Sequence, residues 1–262
     1  MKQKLVSEKL QRLAIPGRGE FVNGGGGLPL IKITTPWSAA EIYLHGAHVA
    51  GFQKNGEPPL LWMSAASQFA ADKPIRGGVS VRLQMPENAG GTNAIRGKVE
   101  FIVTVNDKLT MELKVANTAA EPLSFEECLH TYFTVGDIND ISVTGLKGMA
   151  FLDKVGGTFH KVEADDAIRF SAETDRVYLD TTGAVEIHDA KLGRKIRVEK
   201  SDSASTVLWN PWVAKSKAMS DFGDEEFHRM VCVESGNVGQ NKITLASGKT
   251  SALKVVLHSQ TF

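Results

Sequence analysis

The sequence predicts an all-β protein with a short N-terminal helix, and three observations carry that expectation. Short β-prone runs recur along the chain, each bounded by Gly, Pro, Asn or Asp. Helical periodicity is rare after residue 20. Two of the runs flank Asn106-Asp107, a hairpin signal. Many short strands with frequent turns mean a sandwich or a barrel. The 262 residues contain no composition break that marks a linker. One domain over 1–262 is therefore expected, with helix and linker in 1–20 and the β-sandwich in 28–262.

At the start of the chain, Leu5, Val6, Leu10 and Leu13 fall on one helical face, and Pro16-Gly17 ends the pattern. Gly24 to Gly27 reads as a flexible turn. A phosphate loop would need a following helix and a Lys-Ser/Thr ending, and neither is there. Strands are expected at 30–34, 40–44, 98–105, 109–115, 194–199, 206–209, 230–234 and 253–258. Ser64 to Ala70 and Val213 to Met219 are the two brief helical candidates.

Composition narrows the functional classes. Thirty Lys and Arg balance thirty Asp and Glu, which argues against a nucleic-acid binder held by bulk charge. No apolar run approaches ~18 residues, so no membrane span is expected. The N-terminal Met1-Lys2-Gln3-Lys4 lacks the apolar core of a secretory signal. Two cysteines do not make a disulfide framework. A cytoplasmic location is the resulting expectation.

Two segments alternate reactive and apolar residues. Between Leu123 and Phe133, the period of a strand puts Glu126, Cys128, His130 and Tyr132 on one face. Between Met230 and Asn237 it puts Cys232 and Glu234 together, opposite Val231 and Val233. A carboxylate and an imidazole held rigidly on a sheet suit acid/base work. The plain alternative for His130 is a histidine that merely satisfies a hydrogen bond, and for Glu234 a solvated carboxylate. Cys128, Cys232 and His130 could ligate a metal, but their spacing matches usual zinc patterns poorly. A cysteine nucleophile using His130 would lack an activating elbow or helix terminus. Arg76, followed by Gly77-Gly78, could bind an anion or be a solvated turn residue. Asp175 stands at a strand start, where an Asp is as often a turn former as a ligand. Trp209-Asn210-Pro211-Trp212 suits a sugar ring or a core corner equally.

The order of these segments resembles the hexose-6-phosphate mutarotases (glucose-6-phosphate 1-epimerases) of the aldose 1-epimerase superfamily. The matching stretches are 73–79, 129–133, 174–178 and, most specifically, 209–237 with Trp209-Asn210-Pro211-Trp212 and Val231-Cys232-Val233-Glu234-Ser235-Gly236-Asn237. The resemblance implies an antiparallel β-supersandwich, galactose mutarotase-like, that binds sugar in a concave face. It implies His130 as catalytic acid, Glu234 as general base, and Arg76 and Asp175 as substrate-binding residues. It implies no cofactor and no metal. The implied partner is a small-molecule sugar phosphate, with no nucleic acid and no membrane, and the protein is expected to be a monomer.

The implied reaction interconverts the α and β anomers of a hexose 6-phosphate by ring opening and closure. On this reading two strands bring the imidazole and the carboxylate to opposite flanks of one pyranose-sized hollow. The chain departs from the family after Val79, where an internal segment that usually carries a second histidine, a glutamine and a second arginine is missing. Such a deletion would threaten the sheet with a gap. Arg82 or Arg96 could take the missing arginine's place by proximity, although no motif supports it. Two alternatives follow from the departure: a non-catalytic sugar-binding module on the same scaffold, and an aldose 1-epimerase of unphosphorylated hexoses.

Overall fold

A computed structural model describes residues 6–85 and 97–262. Its strands are β1 (Gly19–Asn23), β2 (Pro29–Thr34), β3 (Ser38–Tyr43), β4 (His48–Lys54), β5 (Val79–Gln84), β6 (Gly97–Val105), β7 (Leu109–Asn117), β8 (Leu123–Thr134) and β9 (Ile141–Thr144). They continue with β10 (Ala150–Asp153), β11 (Phe159–Val162), β12 (Thr174–Leu179), β13 (Val185–Asp189), β14 (Arg194–Ser201), β15 (Ser205–Asn210), β16 (Met230–Asn237), β17 (Ile243–Leu245) and β18 (Thr250–Thr261). The two α-helices are α1 (Glu8–Gln11) and α2 (Trp212–Ala218). No helix among the described residues is long and apolar enough to cross a membrane.

Among the described residues the strands form two antiparallel sheets. The larger runs β1-β2-β3-β4-β5-β8-β16-β15-β12-β10-β11, with β17 also against β8. The smaller runs β6-β7-β18-β14-β13-β9. Their inner faces meet in one apolar cluster that joins Val49, Leu129 and Phe133 to Met111, Leu113, Ile196 and Val255. The alternation on β7 shows why: Leu109, Met111, Leu113 and Val115 are all fully buried, and the residues between them are half-exposed. A period of two with one apolar side packs that side inward. In contrast, β8 and β16 are buried along most of their length on both faces. One face of each meets the apolar cluster, so the other is where polar groups become enclosed.

The expected strands form, most of them one or two residues longer than the sequence pattern suggests. Three expectations change. The N-terminal helix is a single turn, Glu8–Gln11, and Leu13 is 68% exposed; Leu5 lies outside the described residues. A turn this short has little apolar surface to pack, and isolated short helices are unstable in water. The sheet also begins earlier than residue 28, because Gly19–Asn23 pairs with β2 across the glycine turn. The stretch 64–70 is not helical. Its polar groups bond outward instead: Ser64 N–H donates to the Arg76 carbonyl, and the Ser67 hydroxyl accepts from the Arg76 N–H. Local side-chain and tertiary bonds of this kind compete with a helix. The stretch 213–219 does form a helix, α2, which starts one residue earlier.

The residues after Val79 leave no gap in the larger sheet. β5 pairs with β8 from Val79↔Thr131 to Gln84↔Glu126, and touches β4 through Val49↔Val79. The sheet is thereby continuous from β4 to β8. Arg96 lies outside the described residues.

Arg194 ties the connection before β5 to the end of β8. It is fully buried, and donates to the carbonyls of Pro58, Pro59 and Thr134 at 2.9, 3.0 and 2.7 Å. Arg194→Met would leave three carbonyls unpaired, at about 1–3 kcal/mol for each buried group that finds no water. The expected result in urea unfolding is a loss of about 3 kcal/mol or more at unchanged m-value. A loss under about 0.5 kcal/mol, the usual range for a surface change, would show that the Arg194 bonds do not hold this junction.

Candidate active site

The site follows from strand register. β16 and β8 pair Cys232 with Tyr132 and Ser235 with Leu129, which sets Glu234 beside His130. β5 adds Ser80 opposite His130 and Arg82 opposite Cys128. On the other side β15 places Val207 opposite Glu234 and Trp209 opposite Cys232, and β12 places Asp175 opposite Trp209. Directly opposed residues of antiparallel strands share a face. Five adjacent strands therefore put Arg82, His130, Glu234, Trp209 and Asp175 on one surface. That surface is the wall of a cavity of about 360 Å³, which Arg76 and Lys154 also line. The size falls within the usual range for small-ligand pockets.

At its centre, His130 Nε2 lies 3.2 Å from Glu234 Oε1. The two side chains touch, rather than standing on opposite flanks of the hollow, because their strands are immediate neighbours. Both residues are buried, at 9% and 6% exposure. The Cys128 thiol donates to Glu234 Oε2 at 3.3 Å, and Cys232 Sγ lies 3.9 Å from His130 Nδ1. The imidazole stacks on Tyr132, with ring centres 4.7 Å apart and planes at 12°, and meets Trp209 edge-on at 6.3 Å. The ring is thus held on three sides.

Burial controls the protonation of the pair. It pushes Glu234 up to about 7, against the Cys128 hydrogen bond and the positive charge of Arg82. Burial, helped by Arg82 and then Arg76, pushes His130 down to about 3. The 3.2 Å contact is accordingly a hydrogen bond and not an ion pair over the physiological range. Burial thus favours the neutral form of each partner, a protonated carboxyl beside a neutral imidazole.

Arg76 borders the cavity from the turn that leads into β5. Gly77 and Gly78 there have φ of +112° and +60°. A Cβ would lie 2.5 Å from the Trp62 carbonyl at Gly77 and 2.2 Å from the Val49 carbonyl at Gly78, so only glycine lets the backbone pass. The Arg76 guanidinium is already engaged. Nε and NH2 donate to Asp221 Oδ2 at 3.1 and 3.0 Å, and NH1 donates to the Tyr132 hydroxyl at 2.9 Å. Asp175 lines the far wall, 3.8 Å from Lys215 Nζ, and burial raises its carboxyl above the ordinary value.

The structure therefore brings His130, Glu234, Arg76 and Asp175 to one cavity. It adds Lys154, for which the sequence carried no signal, and it brings in Arg82, which the sequence offered with Arg96 for the missing arginine's place. His130, Cys232 and Glu234 each offer a donor atom within 4.8 Å of the others, a set that a soft divalent cation could use. Burial holds the Cys232 thiol well above its ordinary value, which opposes the thiolate such binding needs.

The aldose 1-epimerase family model matches residues 79–258. A Cenchrus ciliaris protein provisionally named glucose-6-phosphate 1-epimerase is 30% identical over 257 residues, covering 80% of this chain and 78% of its own length. An Escherichia coli K12 protein of the same provisional name is 31% identical over 251 residues, covering 82% and 85%. The crystal structure of YeaD from Salmonella typhimurium, provisionally described as a mutarotase, superimposes with a TM-score of 0.84 at 25% identity, covering 99% of this chain and 97% of that one. These matches place the chain in the aldose 1-epimerase family, as an isomerase that interconverts sugar anomers.

Proposed function

We propose that this protein interconverts the α and β anomers of a hexose 6-phosphate, with His130 and Glu234 as the acid/base pair. The observation that carries this reading is the His130–Glu234 contact on the wall of a hexose-sized cavity bordered by Arg76, Arg82 and Lys154. The anomeric hydroxyl and the ring oxygen are bonded to the same carbon. Two groups in contact can therefore serve both oxygens from one side of the ring.

Ring opening removes a proton from the anomeric hydroxyl and delivers one to the ring oxygen. The pair does this only while it holds one proton, because it must offer a base and an acid together. In the unliganded protein that proton sits on Glu234. A phosphate dianion near Arg82 and Arg76 compensates the positive field that, after burial, keeps the imidazole neutral. The proton then moves to His130 Nε2. Glu234 takes the anomeric proton, His130 protonates the ring oxygen, and the C1–C2 bond rotates in the open aldehyde. Closure on the other face reverses both transfers. Trp209 offers an aromatic surface to the sugar's C–H face, and Asp175 accepts hydrogen bonds from ring hydroxyls.

His130→Ala and Glu234→Gln are each expected to slow enzyme-dependent anomer exchange of glucose 6-phosphate by about 10²–10⁴-fold, measured by NMR exchange spectroscopy with circular dichroism confirming the fold. Wild-type rates in either folded variant would reject these roles. The pH dependence has a definite sign. Above about 7 Glu234 loses its proton, His130 is already neutral, and no acid remains. kcat/KM should therefore fall by about tenfold per pH unit on the alkaline side of about 7. A rate that instead rises through that range would mean that Glu234 acts alone as a base.

A further inference from the structure

We propose that Arg82 is the residue that selects a phosphorylated hexose, receiving the phosphate dianion on the ridge between the catalytic cavity and a second hollow beside it. This rests on the hexose 6-phosphate reading. The first argument is charge. The resemblance points to Arg76 for the phosphate, but its guanidinium is paired with Asp221 through two hydrogen bonds and with Tyr132 through a third. It brings oriented N–H groups and little net charge. Arg82 is exposed, and none of the ion pairs or side-chain hydrogen bonds among the described residues involves it. A guanidinium that no carboxylate hydrogen-bonds can give a phosphate two parallel charge-assisted bonds, although Glu126 and Glu234 share its cavity.

The second argument is position. Arg82 projects from β5, next to the strand that carries His130, on the same face. Lys154 follows β10, three strands beyond the one that carries Glu234, and shares its surroundings with the Asp175 carboxylate. Arg82 is thus the cation beside the reacting pair.

The third argument is space. Arg76 and Arg82 border both the catalytic cavity and a hollow of about 280 Å³ that is also lined by His45, His48, Ser80 and Tyr132. A ring over His130 and Glu234 can extend its 6-phosphate across this ridge, toward the Ser80 side of the second hollow.

The test compares wild type, Arg82→Gln and Arg82→Lys. Binding of glucose 6-phosphate, and its displacement by inorganic phosphate, are measured by calorimetry. Anomer exchange of glucose 6-phosphate and of glucose is measured by NMR. Arg82→Gln should weaken glucose 6-phosphate binding by about tenfold or more and lower the kcat/KM ratio of phosphorylated to free hexose by a similar factor, with Arg82→Lys in between. Unchanged binding and ratio in Arg82→Gln would overturn the assignment. Arg82-dependent binding without acceleration of exchange by wild type would support the phosphate site and remove the proposed reaction. A wild type that binds neither ligand would remove both.

Discussion

The 3.2 Å contact between His130 and Glu234 is the interaction on which the rest of the site depends, and register alone produces it. β8 and β16 are neighbours in the middle of the larger sheet. Any slip of one residue would turn one member of the pair into the apolar cluster. That slip is prevented by what lies behind: Leu129, Phe133, Val231 and Val233 are fully or almost fully buried in the cluster shared by both sheets. Core packing thus fixes the geometry of the chemistry on the opposite face. Enclosure has a second effect, because the same burial disfavours the charged form of each side chain, raising Glu234 and lowering His130.

Positive charge around the pair is unevenly distributed. Arg76 is locked by Asp221 and Tyr132, while Arg82 keeps its charge and depresses His130 more strongly than Arg76 does. In the proposed reaction, the substrate's own dianion removes that field when it binds. Binding of the phosphate would then also favour the protonated imidazole. The cation proposed to receive the phosphate is supplied by a strand whose six residues also close the sheet between β4 and β8.

Much of this was legible in the sequence, for a local reason. The period of two along 123–133 and 230–237 is enough to group Glu126, Cys128, His130 and Tyr132, and to join Cys232 to Glu234. It says nothing about which strands are adjacent, and so could not distinguish a touching pair from one on opposite flanks. The same blindness left Arg82 beside Arg96 as a candidate for the missing arginine's place, because an arginine in Val79–Gln84 is tied to the site only when β5 is seen to lie beside β8. Lys154 was hidden more completely, because it sits just past a strand end where no periodicity applies. The N-terminal helix was overstated because an amphipathic pattern does not reveal whether a partner surface exists, and Leu13 stays exposed among the described residues. In 64–70, contacts to Arg76, distant in space until the chain folds back, override the local pattern.

The central claim is that His130 and Glu234 behave as one unit holding a single proton. Ring-nitrogen NMR of His130 in unliganded protein tests it most directly. The imidazole should stay neutral from pH 8 down to about 4, with a perturbation centred near 7 that reports Glu234 and disappears in Glu234→Gln. Protonation of His130 with an ordinary midpoint of about 6.5, unaffected by Glu234→Gln, would contradict the account.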